Sequence, residues 1–404
     1  MTADRLPWGI LFPAVLAPNL FYATGRGAVI PVIPLVAISM GASYATAAFV
    51  AALLTIGELS TTLLASWLVV RIGERNAMMV GAIVSSAGAL CSLLAPDVLL
   101  LGIGVFLIGS ASSVYLVARQ AWVAVTVAAR QRGRAYSLVA GSQRIGTLIG
   151  PFLTALVLSL SDHPRWAFAI TIGTAVFVVA ILLVWPTPPE PHLANHATHT
   201  DEAMPGVLQT MWQQRRVLLR LGVAAALLAS MRAVRQILVP LWGTDLGLDA
   251  VQVTLVVGVC SAIDVALFYT GGQITDRFGR MWVSVPTMIG FAAANIGLAI
   301  SSLLPGQVAV YMAMAALMAL SNAISSGVNA TMGADLADPR QPAVFLGSWR
   351  LVGEIGSAGV PLLFAGITAV MSLPVAALAM GLLGLGGAAA MWRYIPRFLP
   401  RELR

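Results

Sequence analysis

Gly272-Gln273-Ile274-Thr275-Asp276-Arg277-Phe278-Gly279-Arg280 closes one long apolar run and opens the next. The runs on either side, near 250–273 and 282–304, have the length of about 20 residues that a helix needs to cross a hydrocarbon core about 30 Å thick. Between them lies a tight turn. Its glycine lets two helices close up, and its Asp and Arg stand where they can pair across the helix ends. A second stretch, Ser66-Trp67-Leu68-Val69-Val70-Arg71-Ile72-Gly73-Glu74-Arg75, has the same setting between runs near 46–70 and 76–95. It keeps the Arg and the Gly but has Val70 in place of Asp276, with Glu74 as the available carboxylate.

Outward from these two turns, further apolar runs lie near 10–38, 98–122, 136–160, 165–186, 217–243, 308–331, 343–371 and 373–394. That makes an all-α membrane protein of twelve transmembrane helices. The chain is 404 residues long, 59% hydrophobic and 10% charged, against about 25% charged in a soluble domain. Water could not solvate a surface of that composition; a bilayer can. A β-barrel would show alternating segments of about ten residues instead.

The formal charge is +7, and every basic residue is Arg. Arg71, Arg75, Arg130, Arg132, Arg134, Arg215, Arg216, Arg220, Arg277, Arg280 and Arg340 fall in every second loop, and Arg5, Arg393, Arg397, Arg401 and Arg404 lie near the ends. The opposite loops hold Arg165 alone. This is membrane topology rather than a nucleic-acid patch. By the positive-inside rule both termini and the central linker are cytoplasmic, in a bacterial inner membrane. Cys91 and Cys260 lie inside spans, so no disulfide framework is implied. The first apolar segment is too long for a cleavable signal and reads as a span. Without a single Lys the chain cannot form a Lys-ending nucleotide loop, and no hydrolytic triad is visible; an enzyme is not expected.

The chain repeats itself. Arg26 and Arg232 stand 206 positions apart (232 − 26), and Pro34/Pro240, Gly41/Gly247, Glu58/Asp264, Arg71/Arg277 and Gly73/Gly279 keep that offset. Later it becomes 210 (354 − 144): Arg144-Ile145-Gly146 matches Glu354-Ile355-Gly356, and Pro151 matches Pro361. Two pseudo-symmetric six-helix halves are expected, 1–186 and 217–404, joined by a Pro- and His-rich cytoplasmic linker at 187–216. His192, His196 and His199 in that linker read as a solvated segment rather than a metal site.

The turn at 272–280 resembles the signature loop of the major facilitator superfamily, and the stretch at 66–75 its first-half counterpart. Gly146-x-x-x-Gly150-Pro151 in the fifth span resembles the pattern of that superfamily's twelve-helix drug/proton antiporters, with Thr154-Ala155 where further glycines often follow. As packing chemistry, small residues four apart let helix backbones approach. The fourth span departs from the family: Val105 precedes Gly109 where an Arg is usual, and Arg119 lies deeper on the same span. The resemblance implies the two-half fold and a conformational latch carried by Arg71, Gly73, Gly272, Asp276, Arg277, Gly279 and Arg280.

Charges inside spans cost roughly 2.5–3.5 kcal/mol each on insertion scales and persist where they face a partner or a cavity. Here Arg26, Arg119, Arg144, Arg232, Arg235 and Arg350 stand against Glu58, Asp264 and Glu354. Glu58 and Asp264 are each 13 positions before a loop Arg (71 − 58 and 277 − 264), or about 20 Å along a helix, near mid-membrane. Glu58, Asp264 and Glu354 are the candidate proton carriers. Arg26, Arg144, Arg232 and Arg235, with Asn19, Tyr22, Asn322 and Asn329, are the candidate substrate-binding residues. Asp335 reads as a solvated or capping group at the end of its span. The expected activity is secondary active transport by alternating access: proton-coupled export of small amphipathic compounds by a chain acting as a monomer, without cofactor or metal. Two alternatives stand beside it. One is proton-coupled symport or exchange of an organic anion, motivated by the excess of membrane arginines. The other is a non-transporting membrane sensor.

Overall fold

No water reaches the middle of a bilayer, so every backbone N–H and C=O there must find its partner within the chain, and the helix is the structure that provides this segment by segment. The computed structural model describes residues 8–128, 131–161, 163–185, 212, 214–325, 327–337 and 342–399. Among them helices joined by short turns account for the whole fold, and there is no strand. In chain order the long helices are α1 (Trp8–Ser39), α2 (Tyr44–Ile72), α3 (Glu74–Leu93), α4 (Val98–Thr126), α5 (Arg132–Ser159) and α6 (Pro164–Val184). They continue as α7 (Arg215–Asp245), α8 (Ala250–Phe278), α9 (Met281–Ser301), α10 (Gln307–Leu336), α11 (Pro342–Val370) and α12 (Leu373–Phe398). Eleven are both long and apolar enough to cross a membrane. The twelfth, α5, has the length at 28 residues but carries Arg132, Arg134 and Arg144. The expected linker falls almost wholly outside the described residues, and its histidines with it.

The sequence repeat is written into the backbone. A single wide π turn occurs at Phe12–Leu16 and again at Leu218–Gly222, 206 positions on (218 − 12). α2 and α8 are each 29 residues long and begin at the same offset. Gly73 and Gly279 both take a left-handed conformation, with φ of 80° and 90°. A side chain there would clash with its own carbonyl, so glycine is what allows α2 to turn into α3 and α8 into α9. In α5 and α11, Pro151 and Pro361 sit inside the helix at the later offset.

The chain divides into two compact units. The first comprises residues 1–42, 50–199 and 250–258, the second 43–49, 200–249 and 259–404. In the first, α1 lies against α5 through small residues. A Cβ on Gly146 would meet the Leu20 carbonyl oxygen at 2.5 Å, and one on Gly150 the Ala28 nitrogen at 2.5 Å. Thr154, where the antiporter pattern often has glycine, donates its hydroxyl to the Ala28 carbonyl at 3.0 Å and so ties the same two helices. Gly57 of α2 and Gly109 of α4 make a similar backbone-to-backbone contact. Tyr115, Met78 and Val178 fill the interior between α3, α4 and α6. In the second unit, Gly356 of α11 meets Ala226 of α7, and Gly381 and Gly387 of α12 meet Ile296 and Met288 of α9.

One span differs from its expected uninterrupted course at 308–331. The α-helical turns of α10 stop at Ile324 and resume at Val328. Gly327 at φ 87° marks the break. A broken helix leaves carbonyls without intrahelical donors, and what meets them becomes part of the site described below.

The α1–α5 contact predicts a sharp contrast. Gly150→Ala drives a methyl into the α1 backbone and should lower stability by about 1–3 kcal/mol, the usual range for overpacking. Gly141→Ala, one helix face away with nothing within 4 Å of its Cβ, should leave the melting temperature in detergent unchanged or raised. Equal melting of the two variants would show that the contact is loose.

Candidate functional site

In the first unit, α1 presents Asn19, Tyr22 and Arg26, spaced three and then four apart and therefore on one face. α4 presents Ser112, Tyr115 and Arg119 at the same spacing. Their contacts run in opposite senses: Asn19 meets Arg119, Tyr22 meets Tyr115, and the Tyr22 hydroxyl donates to Ser112 Oγ at 3.3 Å. The two tyrosine rings are stacked 3.9 Å apart and parallel to within 3°. A polar–Tyr–Arg stripe on one helix is thus zipped antiparallel to the same stripe on another. The sequence reading picked out Asn19, Tyr22 and Arg26 and noted Arg119, but passed over Ser112 and Tyr115. The i, i+3, i+7 match between α1 and α4 is the signal that could have found them.

At one end of this zipper Arg26 Nη2 lies 2.5 Å from Glu58 Oε1 of α2, with each side chain 27% exposed. At the other end Arg119 is buried. Its Nη1 donates to Asn19 Oδ1 and, at 3.0 Å, to Gln143 Oε1 of α5. Asn19 is oriented for this: its Nδ2 donates to the Val139 carbonyl at 3.0 Å and to Ser142 Oγ at 2.7 Å. Arg144, the next residue on α5, is half-buried.

In the second unit Arg235 of α7 grips Asp264 of α8 with two donors, at 2.6 and 3.4 Å, and both side chains are 13% exposed. The repeat partner of Arg26 is Arg232, yet Arg232 is not what holds Asp264 here. One helical turn earlier on α7, it donates to the Ser325 carbonyl at 2.6 Å and to Ser325 Oγ at 2.7 Å, at the break in α10. A guanidinium there meets carbonyls at a helix C-terminus, where a cation is favoured. Arg350 and Glu354 of α11 pair at 2.6 Å across one helical turn. Asn329 Nδ2 donates to the Ala225 carbonyl at 3.0 Å, and the Asn329 backbone carbonyl accepts from Trp349 Nε1 at 2.9 Å. Asn322 is half-buried, and its backbone carbonyl accepts from Ser325 Oγ.

The two signature turns differ in what they hold. In the second unit Arg280 pairs with Asp335 of α10 at 2.8 Å, with side chains 12% and 17% exposed. Asp335 is therefore an ion-pair partner and not the solvated or capping group expected. The glycine that lets α8 close on α10 is Gly271, whose Cβ would meet the Ile324 carbonyl oxygen at 2.4 Å, whereas Gly272 faces open space. The side chain of Asp276 lies outside the described residues. Arg277 lies over the Phe278 ring, as Arg71 lies over Trp67. In the first unit Glu74 takes the position of Arg280 and is buried in the first turn of α3. Arg75 instead donates to the Leu182 carbonyl at 2.8 Å, at the end of α6.

Among the described residues, twelve long helices with charges paired inside their spans make a polytopic membrane protein. The chain matches the Major Facilitator Superfamily over residues 19–361 and belongs to that superfamily. Over 327 residues it is 22% identical to the multidrug resistance protein MdtH of Enterobacter sp. (strain 638), covering 80% of this chain and 78% of that protein. Its fold is similar to the inward-open xylose transporter XylE from E. coli, with a TM-score of 0.71 and 17% identity over 96% of each chain. It is also similar to a POT family transporter in complex with 5-aminolevulinic acid, with a TM-score of 0.78 and 13% identity over 96% of each chain. Like other members of its superfamily, it is a transporter and not an enzyme.

The Arg235–Asp264 geometry makes a thermodynamic prediction. Arg235→Gln leaves a buried carboxylate without its cation and should destabilise the protein by about 3–5 kcal/mol. Adding Asp264→Asn removes the orphaned charge and should restore most of that loss. Unfolding of the two single variants and the double variant in detergent near neutral pH gives the coupling. Simple additivity would mean that the contact carries no energy.

Proposed function

We propose that the protein is a secondary active transporter that exports small amphipathic compounds in exchange for protons. The observation that carries this reading is the pair of repeat-related carboxylates, Glu58 and Asp264, each clasped by an arginine within its own unit. A carboxylate balanced between burial, which favours its neutral form, and a neighbouring guanidinium, which favours its charged form, is set to exchange a proton when its surroundings change. Protonation removes one charge of the pair and releases the arginine. Glu354 beside Arg350 is a third such group. The multidrug resistance protein among the relatives supports export and a broad amphipathic cargo.

On this reading residues 1–186 and 217–404 act as halves joined by the linker at 187–216, and a midplane site opens to each side in turn. This reading assigns substrate binding to Arg26, Arg144, Asn19 and Tyr22 in the first unit and to Arg232, Arg235, Asn322 and Asn329 in the second. The Arg280–Asp335 pair and the turns at Gly73 and Gly279 hold one conformation. The protein sits in the bacterial inner membrane with both termini in the cytoplasm and works as a monomer.

Everted membrane vesicles with an acid interior test the proposal. They should accumulate an amphipathic anionic dye such as 8-anilinonaphthalene-1-sulfonate, and the accumulation should collapse when the gradient is dissipated. Glu58→Gln and Asp264→Asn should each reduce it at least tenfold at equal protein level. Uptake confined to right-side-out vesicles, or flux that both variants leave unchanged, would overturn export by these carboxylates.

A further inference from the structure

Three of the arginines inside spans, Arg26, Arg235 and Arg350, lie against a carboxylate. Arg119 does not. It is 7% exposed, and the groups that receive its hydrogen bonds are the carboxamide oxygens of Asn19 and Gln143. Its Nε is buried and has no acceptor. The titratable groups near it are Tyr115, Tyr136 and a second cation, Arg26.

Burying a guanidinium is costly unless an opposite charge meets it. Carboxamides do something different: they fix its direction and leave its charge in place. Asn19 is locked in that role because both its donors are taken by Val139 and Ser142. Gln143 is half-buried and gives only its oxygen. The result is a preorganised positive centre with a spare donor and one displaceable neutral ligand.

We propose that Arg119 is the subsite for an acidic group on the transported compound, a carboxylate or sulfonate that takes the place of Gln143 Oε1 on the guanidinium. The cargo is then an amphipathic organic acid, its apolar body lying along the partly exposed Tyr22. This assignment rests on the transporter reading and names its substrate class. Guanidinium and carboxylate geometries match, and such charge-assisted bonds are roughly twice as strong as neutral ones.

The test is equilibrium binding to purified protein in neutral detergent, with no gradient present. The probes are 2-naphthoate and its uncharged isostere 2-naphthamide. The native protein should bind naphthoate at least tenfold more tightly. Arg119→Gln should erase the preference, and Arg119→Lys should keep part of it. Gln143→Glu places a carboxylate on the guanidinium permanently; it should abolish the naphthoate preference while raising the melting temperature, and it decides the question if Arg119→Gln does not fold. No preference in the native protein, or a preference that survives Gln143→Glu, overturns the assignment. Proton-driven dye flux that persists without a naphthoate preference rejects the subsite alone. A preference that persists without such flux rejects proton-coupled export alone.

Discussion

A charge buried in a helix bundle must be answered inside the bundle, and most of the polar architecture follows from that constraint. The bilayer supplies neither water nor counterion, so Arg26, Arg119, Arg232 and Arg235 each recruit oxygen from a neighbouring helix. Arg26 takes Glu58, Arg235 takes Asp264, and Arg232 takes the carbonyl and hydroxyl of Ser325. These contacts fix which helices touch and in what register. Apolar packing alone would do this poorly, since lipid tails compete for apolar faces on nearly equal terms. The glycines at 57, 109, 146 and 150 serve the same end by bringing backbones close enough for short polar side chains to reach across.

The two units share a backbone plan but not a charge plan. The π turns, the left-handed glycines and the lengths of α2 and α8 recur at one offset. The ion pairs do not: Glu58 is held from position 26, while its counterpart Asp264 is held from 235, one turn beyond the equivalent of 26. The break in α10 accounts for this. α4 runs unbroken from Val98 to Thr126, so its first-unit carbonyls are already satisfied. α10 stops at Ile324, and the carbonyl and hydroxyl of Ser325 at the break hold Arg232. Arg235, on the next turn of the same face, fills the vacancy. A local change in one helix has reassigned the partners of two others.

The parts of this fold that were legible in the sequence are those set by local physics. Span lengths follow from apolar runs, and turn positions from Gly73 and Gly279, because each needs only a few consecutive residues. The offset of 206 between Arg26 and Arg232 pointed to the repeat that the backbone carries. What escaped the sequence depends on how helices meet. Nothing near Asp335 shows that Arg280 will reach it from 55 positions away. Gly271 and Gly272 are chemically identical, and only the placement of α10 decides which one is packed. The choice of Arg235 over Arg232 turns on a break that two small residues, Ser325 and Gly327, mark only faintly. The α1–α4 zipper is an intermediate case, because its pattern is local on each helix but its meaning appears only when the two are set side by side.

That zipper also joins the two kinds of arginine in one framework. Asn19 and Arg26 are seven positions apart on α1 (26 − 19), so Arg119, held by Asn19, and Arg26 are separated by about 10 Å at the helical rise. Two positive charges at that distance repel by about 1.7 kcal/mol at an effective dielectric of 20. Glu58 masks one of them while it is ionised. A proton on Glu58 would unmask it, and a repulsion of that size changes a two-state equilibrium by more than tenfold. Arg119 itself stays charged throughout, because a guanidinium does not give up its proton in a protein. In the proposed cycle a proton on Glu58 would therefore favour the conformation that sets the two arginines farther apart. The stacked tyrosines between them need not move for the effect to be felt, since it acts through the field rather than through a chain of contacts.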